Sequence, residues 1–291
     1  MDIDKAKHLI EGLYDMSLNC IYDDIEFHPI RILESSKSII GIDPANPQVK
    51  LLDYCERYIS NFESKEEDAD FSNLKMPAVV TFLDLELSIL NKDKEKAYNN
   101  LYFLSRVSDG QQIVEFLLEF SLRYCSNSFL LIWSIYRMHL FLGFDNVLKS
   151  LLVCIDVLLI GKTIKREPLN FNIDDCLRDY EFDKNNLRLF FSLYRIGKDD
   201  FVRKRSILPL VMSVIKEKLS FSKKENTLVV SKNQELKGRG WIFDLFNKID
   251  FADIDNEMVL NLDSCRGVLK ILGDSDTGLV WGRLNSLYEY R

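Results

Sequence analysis

Apolar residues between residues 76 and 161 recur with helical spacing, and candidate helix starts interrupt them at nearly regular intervals. The candidate N-cap residues are Asn91 or Asp93, Ser108, Ser126 and Asp145. Ser108 also matches a capping box with Gln111. Helices of about 14 residues with short loops run antiparallel to their neighbours, and two make a unit of about 34 residues. The pattern predicts an all-α chain, either an antiparallel helical array resembling an αα-solenoid or an irregular helical bundle.

Polar residues within these helices indicate which faces are covered. Glu115, Glu119 and Arg123 follow one another at intervals of four, which predicts a narrow solvent-facing stripe on an otherwise apolar helix. The run 129–142 has only three polar members, Ser134, Arg137 and His139. A helix of that composition is expected to be surrounded on nearly every side.

The helical pattern extends beyond this region and changes near residue 220. We expect residues 1–220 to form the array or bundle and residues 221–291 to form a small C-terminal module. The larger part divides into N-terminal helices at 1–63, an acidic linker at 64–75, regular helix pairs at 76–161 and further helices at 184–219. In the module, residues 227–231 are rich in β-branched side chains, typical of a short strand, and residues 241–249 are amphipathic, which predicts a mainly helical or winged-helix-like α+β unit.

Cysteine spacing and hydropathy indicate the compartment. None of the six cysteines forms a C-x-x-C pair, a spacing that fits neither a zinc site nor a dense disulfide framework. Charged residues interrupt the most apolar stretch, 129–161, so it contains no uncharged window of about 18 residues. We therefore expect a soluble cytoplasmic protein without a membrane segment.

Three short motifs resemble catalytic or binding sequences but lack a required residue. The run 160–163 ends like a phosphate-binding loop, yet Asp156 stands where that loop needs glycine. Asp276-Thr-Gly occurs once, whereas an aspartic protease uses two such aspartates. The acidic run 250–257 has Met258 where a calcium loop needs glycine. No catalytic residue and no cofactor is predicted.

A metal-binding helical bundle is an alternative. Its candidate ligands are His139, Glu115, Glu119 and Asp156, on helices expected to lie near one another. Carboxylate-bridged metal sites are built this way, but they carry a Glu-x-x-His pair that is missing here. The sequence therefore favours a hydrogen-bonded core histidine at position 139.

A basic band at residues 198–240 is a second alternative site. It holds eleven Lys/Arg against five Asp/Glu in a chain of net charge −7. The candidate anion- or partner-binding residues are Arg203, Lys204, Arg205, Lys223, Lys224, Lys237, Arg239 and Trp241. Nucleic acid is a less favoured ligand because the pI is near 5.2. The band also has a structural interpretation, pairing with acidic parts of the same fold.

A helical array without a catalytic constellation is typical of proteins that hold other macromolecules on an extended surface. The leading prediction is a non-enzymatic scaffold or adaptor subunit of a larger assembly, with protein partners. Self-association stays open.

Overall fold

The computed structural model describes residues 2–65, 69–125, 127–181, 184–219, 222–223 and 239–272. The α-helices in these residues are α1 (Ile3–Asn19), α2 (Pro29–Ile40), α3 (Val49–Ile59), α4 (Phe82–Leu90), α5 (Lys94–Val107), α6 (Gly110–Tyr124), α7 (Phe129–Leu142), α8 (Leu148–Ile160), α9 (Ile173–Asp179), α10 (Lys184–Lys198), α11 (Lys204–Lys218), α12 (Gly240–Lys248) and α13 (Asn256–Leu272). A single 3₁₀ turn, Phe251–Asp253, and two paired two-residue strands, β1 (Tyr180–Glu181) and β2 (Ser222–Lys223), complete the described elements. The prediction of an all-α chain is confirmed.

Local sequence explains where α2 begins. Pro29 occupies the first turn, where its missing N–H costs nothing and its fixed φ suits a helix. The Nδ1 atom of His28 accepts a hydrogen bond from the backbone N–H of Ile30 at 3.1 Å. His28 thus acts as the N-cap, a position that Ser, Thr, Asn or Asp fills in most helices.

The predicted caps of the central helices are partly right. Asp93 caps α5 by accepting from the N–H of Lys96. The prediction for Ser108 was wrong, because Ser108 is the extended residue that ends α5 and Asp109 caps α6 instead. Val147, which has no capping side chain, precedes α8 in place of Asp145. Ser126 lies outside the described residues.

The helices pack in two ways. Neighbours such as α4 and α5, or α6 and α7, pair as the array pattern predicts. Helices distant in sequence also meet, since α13 packs on α2 and α10, and α11 packs on α6. The α2 helix is buried along nearly its whole length, and α7 along most of it. Together these contacts enclose one continuous apolar core.

Buried charges lie where α2, α7, α10 and α13 meet. Glu34 accepts from Nε of Arg137 at 2.8 Å, and Asp263 accepts from Nη1 of Arg195 at 2.7 Å. The guanidinium groups of Arg137 and Arg195 both lie over the ring of Trp133, at 5.2 and 4.7 Å from its centroid. Charge-assisted hydrogen bonds thus join α2 to α7 and α10 to α13, and the contact of Arg195 with Trp133 joins the two pairs.

The C-terminal helices contact the N-terminal ones. Nε2 of Gln48 donates to the carbonyl of Phe243 on α12 at 2.8 Å, and Oη of Tyr54 donates to Asn256 at 2.7 Å. The predicted module boundary at 220–221 and the predicted strand at 227–231 lie outside the described residues, so the module stays a prediction. All six cysteines are buried free thiols.

Candidate functional site

The α4 helix has one apolar face that the described residues do not cover. Leu85 and Ile89 are buried on the side that packs against α5 and α8. On the opposite side, Leu83 is 61% exposed and Leu87 is 49% exposed. Their i, i+4 spacing places both leucines on one stripe, the pattern by which two helices pack together.

The start of α4 is fixed by a reciprocal capping box. The N–H of Asp84 donates to Oγ1 of Thr81 at 3.2 Å, and the N–H of Thr81 donates to Oδ2 of Asp84 at 2.9 Å. In the segment before this cap, Met76 and Val79 are also exposed. The exposed stripe therefore belongs to a firmly started helix and not to a loose segment.

A cleft of about 510 Å³ lies between the end of α1, the start of α5 and one side of α8. Among the described residues that line it, the charged side chains are those of Lys65, Lys94, Lys149 and Asp156. Its apolar and aromatic lining comes from residues that include Ile21, Tyr22, Tyr98, Leu152 and Ile160. The cleft has the size of a small-molecule site.

Asp156 organises the polar part of this cleft. Its Oδ1 accepts from Oη of Tyr98 at 2.6 Å and lies 3.0 Å from Nζ of Lys94, while its Oδ2 accepts from Nζ of Lys65 at 3.1 Å. Burial raises the pKa of Asp156, but the hydrogen bonds from Tyr98, Lys94 and Lys65 outweigh it and hold that pKa below its usual value. The carboxylate is charged near neutral pH and holds two ammonium groups at the cleft.

Glu115 and Glu119 form no solvent-facing stripe, and that prediction was wrong. Both are buried, and they face the start of α11. Glu115 accepts from the backbone N–H groups of Val202 and Arg203 at 3.2 and 2.9 Å, and Glu119 accepts from Nε of Arg203 at 2.8 Å. A carboxylate at a helix start is favoured by the helix dipole and satisfies N–H groups that have no helical partner.

Arg203, at the start of the basic band, is therefore paired with the buried acids Glu115 and Glu119. Arg203, Lys204 and Arg205 line an open hollow of about 890 Å³, but Arg203 is engaged by Glu119. Trp241 is partly buried against the core, and Arg239 is exposed. Lys223 lies in β2, and Lys224 and Lys237 lie outside the described residues. The described part of the band thus includes two cations paired within the fold, Arg203 with Glu119 and Lys198 with Asp174.

His139 is held in a hydrogen-bonded network. Nδ1 lies 2.8 Å from the carbonyl of Gly143, which can only accept, so Nδ1 carries the proton. Nε2 accepts from Oγ of Ser150 at 2.8 Å, and that hydroxyl accepts from Oη of Tyr14. Burial lowers the pKa of His139. Both ring nitrogens are engaged, so neither offers a lone pair to a metal.

The four candidate metal ligands have different partners. His139 contacts Tyr14 and Ser150, Glu115 and Glu119 contact the start of α11, and Asp156 lies in the lysine-lined cleft. Over the ranges that the structure describes, no three His, Cys, Asp or Glu side chains are placed to hold a metal ion. The geometry gives the metal alternative no support.

Neither the α4 stripe nor the cleft was found by sequence reasoning. Helical periodicity shows which residues share a face but not which faces a neighbour covers, so Leu83 and Leu87 look like core leucines. The three cleft lysines come from separate segments, and each resembles an ordinary surface lysine. No sequence signal brings them together.

The fold defines the class as an all-α helical protein with a buried charge cluster, an exposed apolar stripe on α4 and an open cleft beside α8. No family model matches the chain, and no similar protein is found among curated proteins or solved structures. Within the described ranges, no helix is both long and apolar enough to cross a membrane.

Proposed function

We propose that the protein is a non-enzymatic interaction subunit that binds a partner protein through the exposed face of α4. The observation that carries the proposal is the pair Leu83 and Leu87, exposed at helical spacing on a capped helix that packs on its other side. Burying a leucine side chain contributes about 1.5–3 kcal/mol, so two leucines can anchor a partner.

The chemistry of the partner follows from the charges on α4. Its only charged residues are Asp84 and Glu86, both acidic. An apolar stripe beside two carboxylates complements an amphipathic helix with apolar residues on one face and Lys or Arg beside them. We therefore commit to a basic amphipathic helix of a partner protein as the occupant.

The test is purification of the tagged full-length chain from its own cells, followed by identification of stoichiometric companions. The variant is Leu83→Gln/Leu87→Gln, which removes apolar surface while keeping helix propensity. Leu140→Gln is the matched control, because Leu140 is 55% exposed on α7. Circular dichroism verifies that both variants are folded.

The expected companion contains a basic amphipathic helix, remains with the wild type and the control, and falls at least tenfold in the α4 variant. A synthetic peptide of that helix is expected to bind the wild type directly. Companions that do not depend on Leu83 and Leu87 would contradict the proposal. So would sedimentation showing that α4 joins two copies of this chain.

A further inference from the structure

A small cavity lies within the charged cluster where α2, α7, α10 and α13 meet. Each of these four helices contributes three residues to its described lining. The volume of the cavity is about 10 Å³, enough for one particle of the size of a water molecule. That size excludes phosphate, sulfate and organic ligands.

One guanidinium nitrogen at this cavity has no hydrogen-bond partner. Nη1 of Arg195 donates to the carboxylate of Asp263 at 2.7 Å and to its backbone carbonyl at 3.2 Å. Nη2 of Arg195 is buried and makes no hydrogen bond with the described residues. A Cβ added to Gly267 would collide with this guanidinium, so α13 holds the side chain closely. A buried cationic donor without a partner destabilises the fold, which favours an acceptor in the cavity.

Two hydroxyl groups at the cavity add further donors. Ser35 on α2 and Ser192 on α10 both line it, and neither hydroxyl bonds to another side chain or carbonyl in the part of the chain that the structure describes. Ser134 and Ser264 also line it, but their hydroxyls donate to backbone carbonyls of their own helices. The cavity therefore brings together three free donors, of which Nη2 of Arg195 is cationic.

The two carboxylates in the lining are already engaged by cations. Glu34 accepts from Nε of Arg137 at 2.8 Å. Asp263 accepts from Arg195 through one oxygen and from Nε of Arg266 through the other, both at 2.7 Å. Their negative charges are therefore balanced by guanidinium groups that contact them directly.

Arg31, a third arginine near this cluster, has no such balance. It lines the cavity, is buried, and donates from Nη1 to the backbone carbonyl of Glu26, without an ion pair to any described carboxylate. Burial lowers the pKa of Arg31 to about 10 and also lowers the pKa of Arg195. The fold thus disfavours both positive charges. A water molecule in the cavity would leave them uncompensated, whereas an anion would stabilise both.

We infer that the cavity binds a single halide ion, which accepts from Nη2 of Arg195 and from the hydroxyls of Ser35 and Ser192. The ion would satisfy the free donors and join α2 to α10 at the centre of the cluster. A ligand that binds only the folded chain raises its stability as the ligand concentration rises. Chloride is therefore expected to stabilise this protein specifically.

Thermal unfolding of the full-length protein provides the first test, with sodium chloride replacing sodium gluconate at constant ionic strength. Gluconate is too large for the cavity and serves as the reference anion. Replacing about 0.2 M gluconate by chloride is expected to raise the Tm by at least about 2 °C. Equal melting temperatures in the two salts would overturn the inference.

Matched serine variants separate the cavity from general salt effects. Ser192→Val fills the cavity and removes a donor, so it is expected to lose the chloride-dependent rise in Tm. Ser192→Ala removes the donor alone and is expected to raise the chloride concentration for half the effect at least threefold. Ser121→Ala is the control, because its buried hydroxyl bonds to the carbonyl of Leu118 on α6, and it is expected to keep the full rise. A folded Ser192→Val or Ser192→Ala variant that responds to chloride as the control does would contradict the inference.

Anomalous scattering from bromide locates the ion directly. Crystals of the full-length protein grown in sodium bromide are expected to show an anomalous peak within hydrogen-bond distance of Nη2 of Arg195. Bromide peaks on the surface alone, or none, would overturn the inference. Because α4 contributes no residue to the described lining of this cavity, either result leaves the proposed partner binding to be judged by its own test.

Discussion

Arg137 on α7 donates from Nε to Oε1 of Glu34 on α2 at 2.8 Å, at a position where Glu34 is 1% exposed. Nζ of Lys37 lies 3.7 Å from the same oxygen. Burial raises the pKa of Glu34, but the charges of Arg137 and Lys37 outweigh it and hold that pKa well below its usual value. The ion pair therefore ties two central helices together as charged groups.

Replacing Glu34 is expected to be strongly destabilising. Glu34→Gln keeps the size of the side chain but leaves Arg137 and Lys37 in the interior without their carboxylate. Breaking a buried pair in this way costs about 3–5 kcal/mol. Glu11→Gln, at an exposed pair with Lys7, is the control and is expected to change stability by less than about 0.5 kcal/mol. Urea unfolding measures both, and equal changes would show that Glu34 does not hold the cluster together.

Two helical glycines are expected to respond to alanine in opposite directions. A Cβ at Gly267 on α13 would lie 2.0 Å from Nε of Arg195, whereas nothing lies within 4 Å of a Cβ at Gly12 on α1. Gly267→Ala displaces Arg195 from Asp263 and is expected to cost more than about 2 kcal/mol. Gly12→Ala is expected to stabilise by about 0.5–1 kcal/mol through helix propensity. Thermal unfolding provides the comparison, and a tolerated Gly267→Ala would contradict the packing of Arg195 against α13.

Adjacent residues at the start of α6 provide a test of its cap. Oδ1 of Asp109 accepts from the N–H of Gln111 at 2.7 Å. Asp109→Ala is therefore expected to lower the free energy of unfolding by about 1 kcal/mol. Ser108→Ala is expected to change it by less than about 0.5 kcal/mol, because Ser108 only ends α5. If denaturant unfolding showed Ser108→Ala to be more destabilising than Asp109→Ala, Ser108 and not Asp109 would be the cap of α6.

His28 is expected to make stability depend on pH. Burial, with the positive charges of Lys65 and Arg31, lowers its pKa to about 3 in the folded protein. The unfolded chain, with a histidine pKa of about 6.5, binds the extra proton between these values. Stability from neutral His28 is therefore complete above about pH 6.5 and is lost as pH falls toward 3.

The measurement compares the wild type with His28→Asn, which retains an N-cap acceptor but does not titrate. Between pH 7 and pH 4 the wild type is expected to lose about 2–3 kcal/mol more than the variant. Curves of unfolding free energy against pH that stay parallel would mean that His28 becomes protonated within the folded protein.

Sequence patterns predicted where the helices begin better than which neighbours cover their faces. Local chemistry is sufficient to start a helix, so Asp93, one of two candidates, marked the beginning of α5 correctly. Two adjacent capping residues, Ser108 and Asp109, compete at α6, and only backbone geometry decides between them. Which faces of these helices are buried is determined by tertiary contacts.

The four-residue spacing of Glu115 and Glu119 is the same whether solvent or another helix faces it. The structure places the start of α11 there, about 85 residues further along the chain, and this long-range contact has no local signal. Leu83 and Leu87 are the opposite case. Their apolar spacing predicts a face covered by another helix, but both side chains are exposed.

The central claim is that the exposed face of α4 is covered by a partner in the cell, and site-specific photocrosslinking tests it most directly. A photocrosslinking amino acid replaces Leu87 in one strain and Leu140, as the control, in another. A single protein adduct from position 87, absent from position 140 and containing a basic amphipathic helix, is the predicted result. No adduct from position 87, or the same adducts from both positions, would contradict the account.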